Sequence, residues 1–135
     1  MSKKELKKFV IQIGMGVDQH GQDATNAAQK AIKNAISNNC LVGLTDICHL
    51  KDLNDFYVQV QIAVPYPEQI NKTRLLKAIP FGNKELIIEK GGMIIPGVQI
   101  PELGDKSDEM IVANAAVTVL IRTGWGYPPP MGGMK

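Results

Sequence analysis

Asp23-Ala24-Thr25-Asn26-Ala27-Ala28-Gln29-Lys30-Ala31-Ile32-Lys33-Asn34-Ala35-Ile36 is the stretch on which the fold turns. Ala24, Ala27, Ala28, Ala31, Ile32, Ala35 and Ile36 recur at the three- and four-residue intervals of one helical face. Gln29, Lys30, Lys33, Asn34 and Ser37 take the opposite face. Asp23 suits the N-cap, where a carboxylate accepts the free N–H groups of the first turn. Asn38 and Asn39 suit the exit. A buried face made mostly of alanine predicts a helix axis lying close to a sheet.

Outward from this helix the pattern changes period. Before it, Lys8 to Gly14 carries Phe9, Val10, Ile11 and Ile13, a short strand that ends at Gly14 and leads into a glycine-rich turn. After it, Cys40 to Asn54 reads as irregular. Phe56, Val58, Val60, Ile62 and Val64 then alternate with Tyr57, Gln59, Gln61 and Ala63, a half-buried strand closed by Pro65 and Pro67. Asn71 to Ala78 reads as a second, short helix. Leu86 to Glu89 and Met93 to Pro96 are short strands flanking a turn or bulge at Gly91-Gly92. Val98 to Leu103, bounded by prolines, reads as an extended edge. Met110 to Ile121 is a long strand with Ile111, Ala113, Ala115, Val117, Val119 and Ile121 on one face, although Ala113 to Ala116 leaves a helix open there.

The class these elements define is α+β, with a single mixed or antiparallel sheet of four to five strands and two helices on one face. Residues 1–123 form one domain, and the Pro/Gly-rich tail 124–135 adds nothing to its core. A sheet covered on one side has an open face. Met110 to Ile121 is apolar on both faces, so another subunit is expected there, giving a homo-oligomer with a trimer as the expected state.

The 135 residues fit one domain and no more. Apolar residues at 44% and charged residues at 21% are those of an ordinary globular protein. A net charge of +2 argues against nucleic acid as partner. Lys3, Lys4, Lys7 and Lys8 read as a solvated N-terminal extension. Cys40 and Cys48 have apolar neighbours and read as small buried hydrophobes rather than a disulfide framework. No signal peptide is visible and no run nears the ~18 apolar residues of a membrane span. The expected location is the cytoplasm.

Gly14-Met15-Gly16-Val17-Asp18-Gln19-His20-Gly21 carries the chemistry. Gly14, Gly16 and Gly21 suit positive φ or close backbone approach, and the helix start beyond them attracts anions. The spacing departs from a dinucleotide fingerprint, and Asp18 would repel a pyrophosphate. Asp18 and His20, two apart, point to one side of an extended stretch. There they could share a divalent metal or act as an acid–base pair. The plainer reading is a turn in which Asp18 bonds nearby N–H groups and His20 packs or caps. Asp23 or His49, the second of two histidines, are candidates for a further metal ligand. Asp105 and Lys106 lie in a polar loop before the last strand, where Lys106 suits a substrate anion or acid–base role; the alternative is a solvated turn. Asn114, set between alanines in a strand, is a candidate to bond a ligand or a buried backbone group.

The Gly14 to Gly21 run, with Asp23, Ala27-Ala28, Asn34-Ala35-Ile36, Pro101 to Lys106 and Asn114 to Val117, resembles a family of conserved hypothetical proteins of bacteria and plants marked by GxGxDxHG. The resemblance covers most of the chain and implies no activity. Separately, Ile13 to His20 resembles the opening strand and loop of the methylerythritol cyclodiphosphate synthases, over about eight residues. Those are trimers in which an Asp-x-His pair binds zinc at a subunit interface. This second resemblance implies Asp18 and His20 as metal ligands with His49 as the third, and zinc as the metal. The chain lacks those enzymes' substrate-binding segments, so their activity is not implied.

Three readings of function follow. The first is a small oligomeric enzyme acting on a small polar metabolite between subunits, with Asp18 and His20 as metal site or acid–base pair and Lys106 and Asp105 nearby. A metal there would polarise a substrate oxygen or activate a water. The second is a non-catalytic metabolite- or anion-binding protein. The third is a structural assembly factor, which accounts for the tail but not the loop.

Overall fold

A computed structural model describes residues 6–48, 50, 55–80 and 82–122 of the chain. His49 and the tail 124–135, both singled out above, lie outside the described residues. The chain runs through β1 (Leu6–Asp18), α1 (Ala24–Ile36), α2 (Val42–Asp46), β2 (Tyr57–Val64), α3 (Lys72–Leu76), β3 (Asn83–Lys90), β4 (Met93–Pro96) and β5 (Glu109–Arg122). The five strands form one sheet in the order β1-β5-β2-β3, with β4 also paired to β5. Every strand pair is antiparallel except β2–β3, which is parallel, so the sheet is mixed.

The alanine face of α1 is buried as its periodicity requires, with Ala27, Ala28, Ala31 and Ile32 fully enclosed. It lies on β1 and β5. From the sheet come Val58, Val60, Ile62 and Val64 of β2 and Ile111, Ala113, Ala115, Val117, Val119 and Ile121 of β5, each buried. The alternation in β5 thus settles strand over helix across Ala113 to Ala116.

Four expectations are corrected. First, β1 does not end at Gly14 but continues through Gly16 to Asp18, in register with β5 from Gly14↔Ala115 to Asp18↔Ile111. A Cβ on Gly14 would overlap the backbone of Ala31 and Ala35, and one on Gly16 the backbone of Ala27 and Ala31. These glycines therefore serve close helix–strand approach, not a turn. Second, Val42–Asp46 inside the segment read as irregular is a short helix, and Pro101–Leu103 in the expected extended edge is a 3-10 turn. Third, Leu6 to Lys8 belong to β1 rather than to a solvated extension. Fourth, Cys48 is buried but Cys40 is exposed; both are free.

Among the described residues no helix covers the sheet's second face. Ile11, Ile13 and Met15 of β1 are 53%, 76% and 56% exposed there. Ala116 and Asn114 of β5 stand opposite Ile13 and Met15. The outer edge of β1 is partly hooked by α1: Asn34 Oδ1 accepts the Met15 N–H at 3.0 Å, and Lys30 Nζ donates to the Val17 carbonyl at 3.1 Å. Such side chains blunt an edge that would otherwise pair with another strand.

Candidate functional site

The last residue of β1 sits at the start of α1, and their junction is built by carboxylates. Asp18 follows Gly14 and Gly16 on the helix-facing side of β1 and is 3% exposed. Its Oδ2 accepts the Asp23 N–H at 2.7 Å and its Oδ1 accepts Asn26 Nδ2 at 2.6 Å. Asp23 is the N-cap, with Oδ1 accepting the N–H groups of Thr25 and Asn26 at 3.0 and 3.2 Å. Arg74 Nη2 of α3 donates to Asp23 Oδ2 at 2.6 Å. Burial raises the Asp23 carboxyl, but the Arg74 guanidinium and the Asn26 and Thr25 N–H groups outweigh it and hold the group below its ordinary value. Thr25 Oγ1 accepts the Asn71 N–H at 2.9 Å and Gln29 Nε2 donates to the Arg74 carbonyl at 2.8 Å, so α3 is docked on the first turns of α1.

Between Asp18 and Asp23 the backbone turns through two left-handed residues, Gly21 (φ 86°) and Gln22 (φ 50°). A glutamine in that region is uncommon and needs a reason. Its side chain supplies one. Gln22 Oε1 accepts the Lys106 N–H at 2.6 Å, and Nε2 donates to the Glu109 carbonyl at 3.0 Å and the Ser107 carbonyl at 3.3 Å. Gln22 thus staples the loop that precedes β5.

The centre of that loop is Asp105, whose side chain is fully enclosed. Oδ2 accepts the Ile100 N–H at 2.6 Å and Oδ1 the Gly21 N–H at 3.0 Å. His20 Nδ1 lies 2.8 Å from Oδ2. Burial raises the Asp105 carboxyl, yet the Ile100 N–H, the His20 ring and the Gly21 N–H bring it down to about 2. The group is an acceptor alone at neutral pH. In the neutral imidazole Nδ1 therefore carries the proton, and Nε2 keeps its lone pair on the solvent side of a ring that is 34% exposed.

The expected residues fall into two clusters. Asp18 and Asp23 hold the start of α1; His20, Gly21 and Asp105 meet across the loops. Both Asp18 oxygens are occupied by N–H donors, while His20 turns to Asp105, so the pair takes separate partners. Among the described residues no three His, Cys, Asp or Glu side chains gather where they could hold a metal ion. His49, the third ligand expected for zinc, lies outside the described residues, and Asp18 and His20 do not converge on one point. Lys106 enters through its N–H to Gln22, and the residue is exposed next to the enclosed Asp105 in the chain. Asn114 is exposed on the open face of the sheet, paired with Met15 and Ala63, away from both clusters. Sequence reasoning did not find Gln22, Asn26 or Arg74. Asn26 had a signal, since it stands three residues after an N-cap; Gln22 and Arg74 had none.

The fold and the loop staple define a small single-sheet α+β protein with an oriented histidine at the β1–α1 junction. The chain belongs to the Lin0512 family of conserved hypothetical proteins, whose family model matches residues 8–119. It is similar to a crystal structure of an FtsZ-like protein of unknown function from Nostoc punctiforme PCC 73102. The two share 51% identity over 87% of this chain and 98% of that one, with a TM-score of 0.81. No protein of curated function is detectably similar to the chain. No described helix is long and apolar enough to cross a membrane.

Proposed function

We propose that the protein binds and turns over a small polar molecule, with His20 Nε2 as the proton-transferring group and Asp105 as the residue that orients it. The observation that carries this reading is the 2.8 Å contact between His20 Nδ1 and an enclosed, ionised Asp105. A buried carboxylate that fixes the tautomer and stabilises the imidazolium is the arrangement general-base histidines use. Lys106, exposed and next in the chain to Asp105, offers a cation for an anionic substrate group. In this reading Asp105 replaces Asp18 as the partner of His20, and Asp18 positions the helix.

The apolar ridge of Ile11, Ile13 and Met15 supports a homo-oligomer, with a trimer as the working state, whose subunits meet over the open face. A neighbouring subunit would wall the His20 rim into a site. Free cysteines, one of them exposed, suit the reducing cytoplasm.

A thermal-shift panel of small carboxylates, phosphates and hydroxy acids tests the reading. At least one compound should raise the melting temperature of wild type and not of His20→Ala, and wild type should consume it while His20→Ala does not. A panel with no stabilising compound, or one acting equally on both proteins, overturns it. Binding without turnover selects the non-catalytic binding protein instead. Anion capture by the start of α1 is the weaker form of that reading, because Asp18 and Asp23 already occupy the N–H groups of residues 23, 25 and 26.

A further inference from the structure

At the far end of α1 from His20 lies a pocket of about 680 Å³. Gln12, Val117 and Val119 of the sheet line it, as do Ile36 at the end of α1, Leu44 of α2 and Phe56 before β2. Its position follows from the packing of α1. The helix presses on β1 at Gly16 and Gly14 through Ala27, Ala31 and Ala35 and ends at Ile36. Gln12 is the next residue back along the same face of β1, beyond the point where the helix touches the strand.

Gln12 is 5% exposed, among valines, where a leucine or valine would pack without penalty. Its amide has no hydrogen-bond partner among the described residues, yet no fully enclosed side-chain nitrogen or oxygen there lacks one. Its amide nitrogen and oxygen are therefore not fully enclosed, and Gln12 is among the residues that line the pocket. No described protein group bonds this amide, so a ligand in the pocket would take the bond that water otherwise fills. Lys33, exposed on α1, stands on the rim of the same pocket.

We infer that this pocket is a binding site for an amphipathic monocarboxylate, with its apolar body against Val117, Val119, Leu44 and Phe56 and its carboxylate between the Gln12 amide and the Lys33 ammonium. The volume lies in the range of about 300–1,000 Å³ usual for small-molecule sites, and a mainly apolar lining with a few convergent polar groups is their usual chemistry. The site is separate from His20, so neither reading depends on the other.

Equilibrium dialysis of decanoate and of 1-decanol against the full chain tests it. Wild type should bind decanoate saturably, one per chain, and at least fivefold more tightly than decanol. Lys33→Ala should remove that preference while leaving decanol binding unchanged. Gln12→Leu should weaken decanoate at least fivefold. Val117→Phe should abolish binding by filling the pocket; should that chain not fold, Ile36→Trp, at a half-buried wall, fills the same space. Absence of saturable decanoate binding, equal affinity for decanol, or binding indifferent to Gln12→Leu and to the filled pocket overturns the inference.

Discussion

Gly14 and Gly16 matter for what they lack. Each lies in a strand, with no unusual φ, and each is covered by helix backbone that no side-chain movement could relieve. Gly16→Ala should therefore destabilise the protein by about 1–3 kcal/mol through overpacking, read as a lower midpoint in urea unfolding. Gly21, with a φ of 86° and open space around it, tests the other use of glycine: Gly21→Ala strains the backbone without a clash. Asp105 yields a pH prediction. Its folded-state pKa is depressed, so its ionised form stabilises the fold. That contribution is complete above its ordinary value near 3.8 and fades as pH falls toward about 2. Unfolding free energies measured from pH 5 to 2 should fall less steeply for Asp105→Asn, which should already be weaker at pH 7. Sequence offered Asp105 and His20 as separate candidates. Their contact spans 85 residues, and nothing in local spacing could announce it.

The elements whose burial follows a period were legible: α1 from its alanines, β2 and β5 from alternation. Short pieces were not. Val42–Asp46 has five residues, too few to show a helical repeat, and no side chain caps it. The reading of β1 failed at Gly14 because glycine carries no alternation signal, although Met15 and Val17 continue the odd-numbered series of Ile11 and Ile13. The loop joining β1 to α1 is held by side chains more than by main chain. Asp23→Ala should cost about 0.5–2 kcal/mol as a lost N-cap, and should remove the Arg74 side-chain link to α3, which Thr25 and Gln29 still hold. Gln22→Ala should leave global stability less affected than local order. The expected result is faster hydrogen exchange at the Lys106 amide, which Gln22 Oε1 now engages.

At the scale of the whole molecule, the class, the single sheet and its one-sided covering were all readable from the order of periods along the chain. Strand order was not, because β5 inserts between β1 and β2, a pairing that no short-range rule dictates. The open face gives the prediction that belongs here. Ile13 is 76% exposed beside Ile11 and Met15, so Ile13→Lys should leave the monomer fold intact while splitting the proposed oligomer in sedimentation equilibrium. A wild-type protein that sediments as a monomer at micromolar concentration would remove the oligomeric part of the proposal.

The centrality of β5 also has a bearing on biosynthesis. β1, β2 and β4 each pair with the chain's last described strand, and β2–β3 is the one strand pair that does not involve it. A ribosome that has delivered everything before Glu109 has therefore made most of the hydrophobic layer but, of the ladder that holds it, the β2–β3 pairing alone. The newborn polypeptide must wait, with β1 unpaired, for β5 to emerge. Arresting translation ahead of β5 should leave a protease-sensitive nascent chain, and release of that one strand should be the event that makes it resistant.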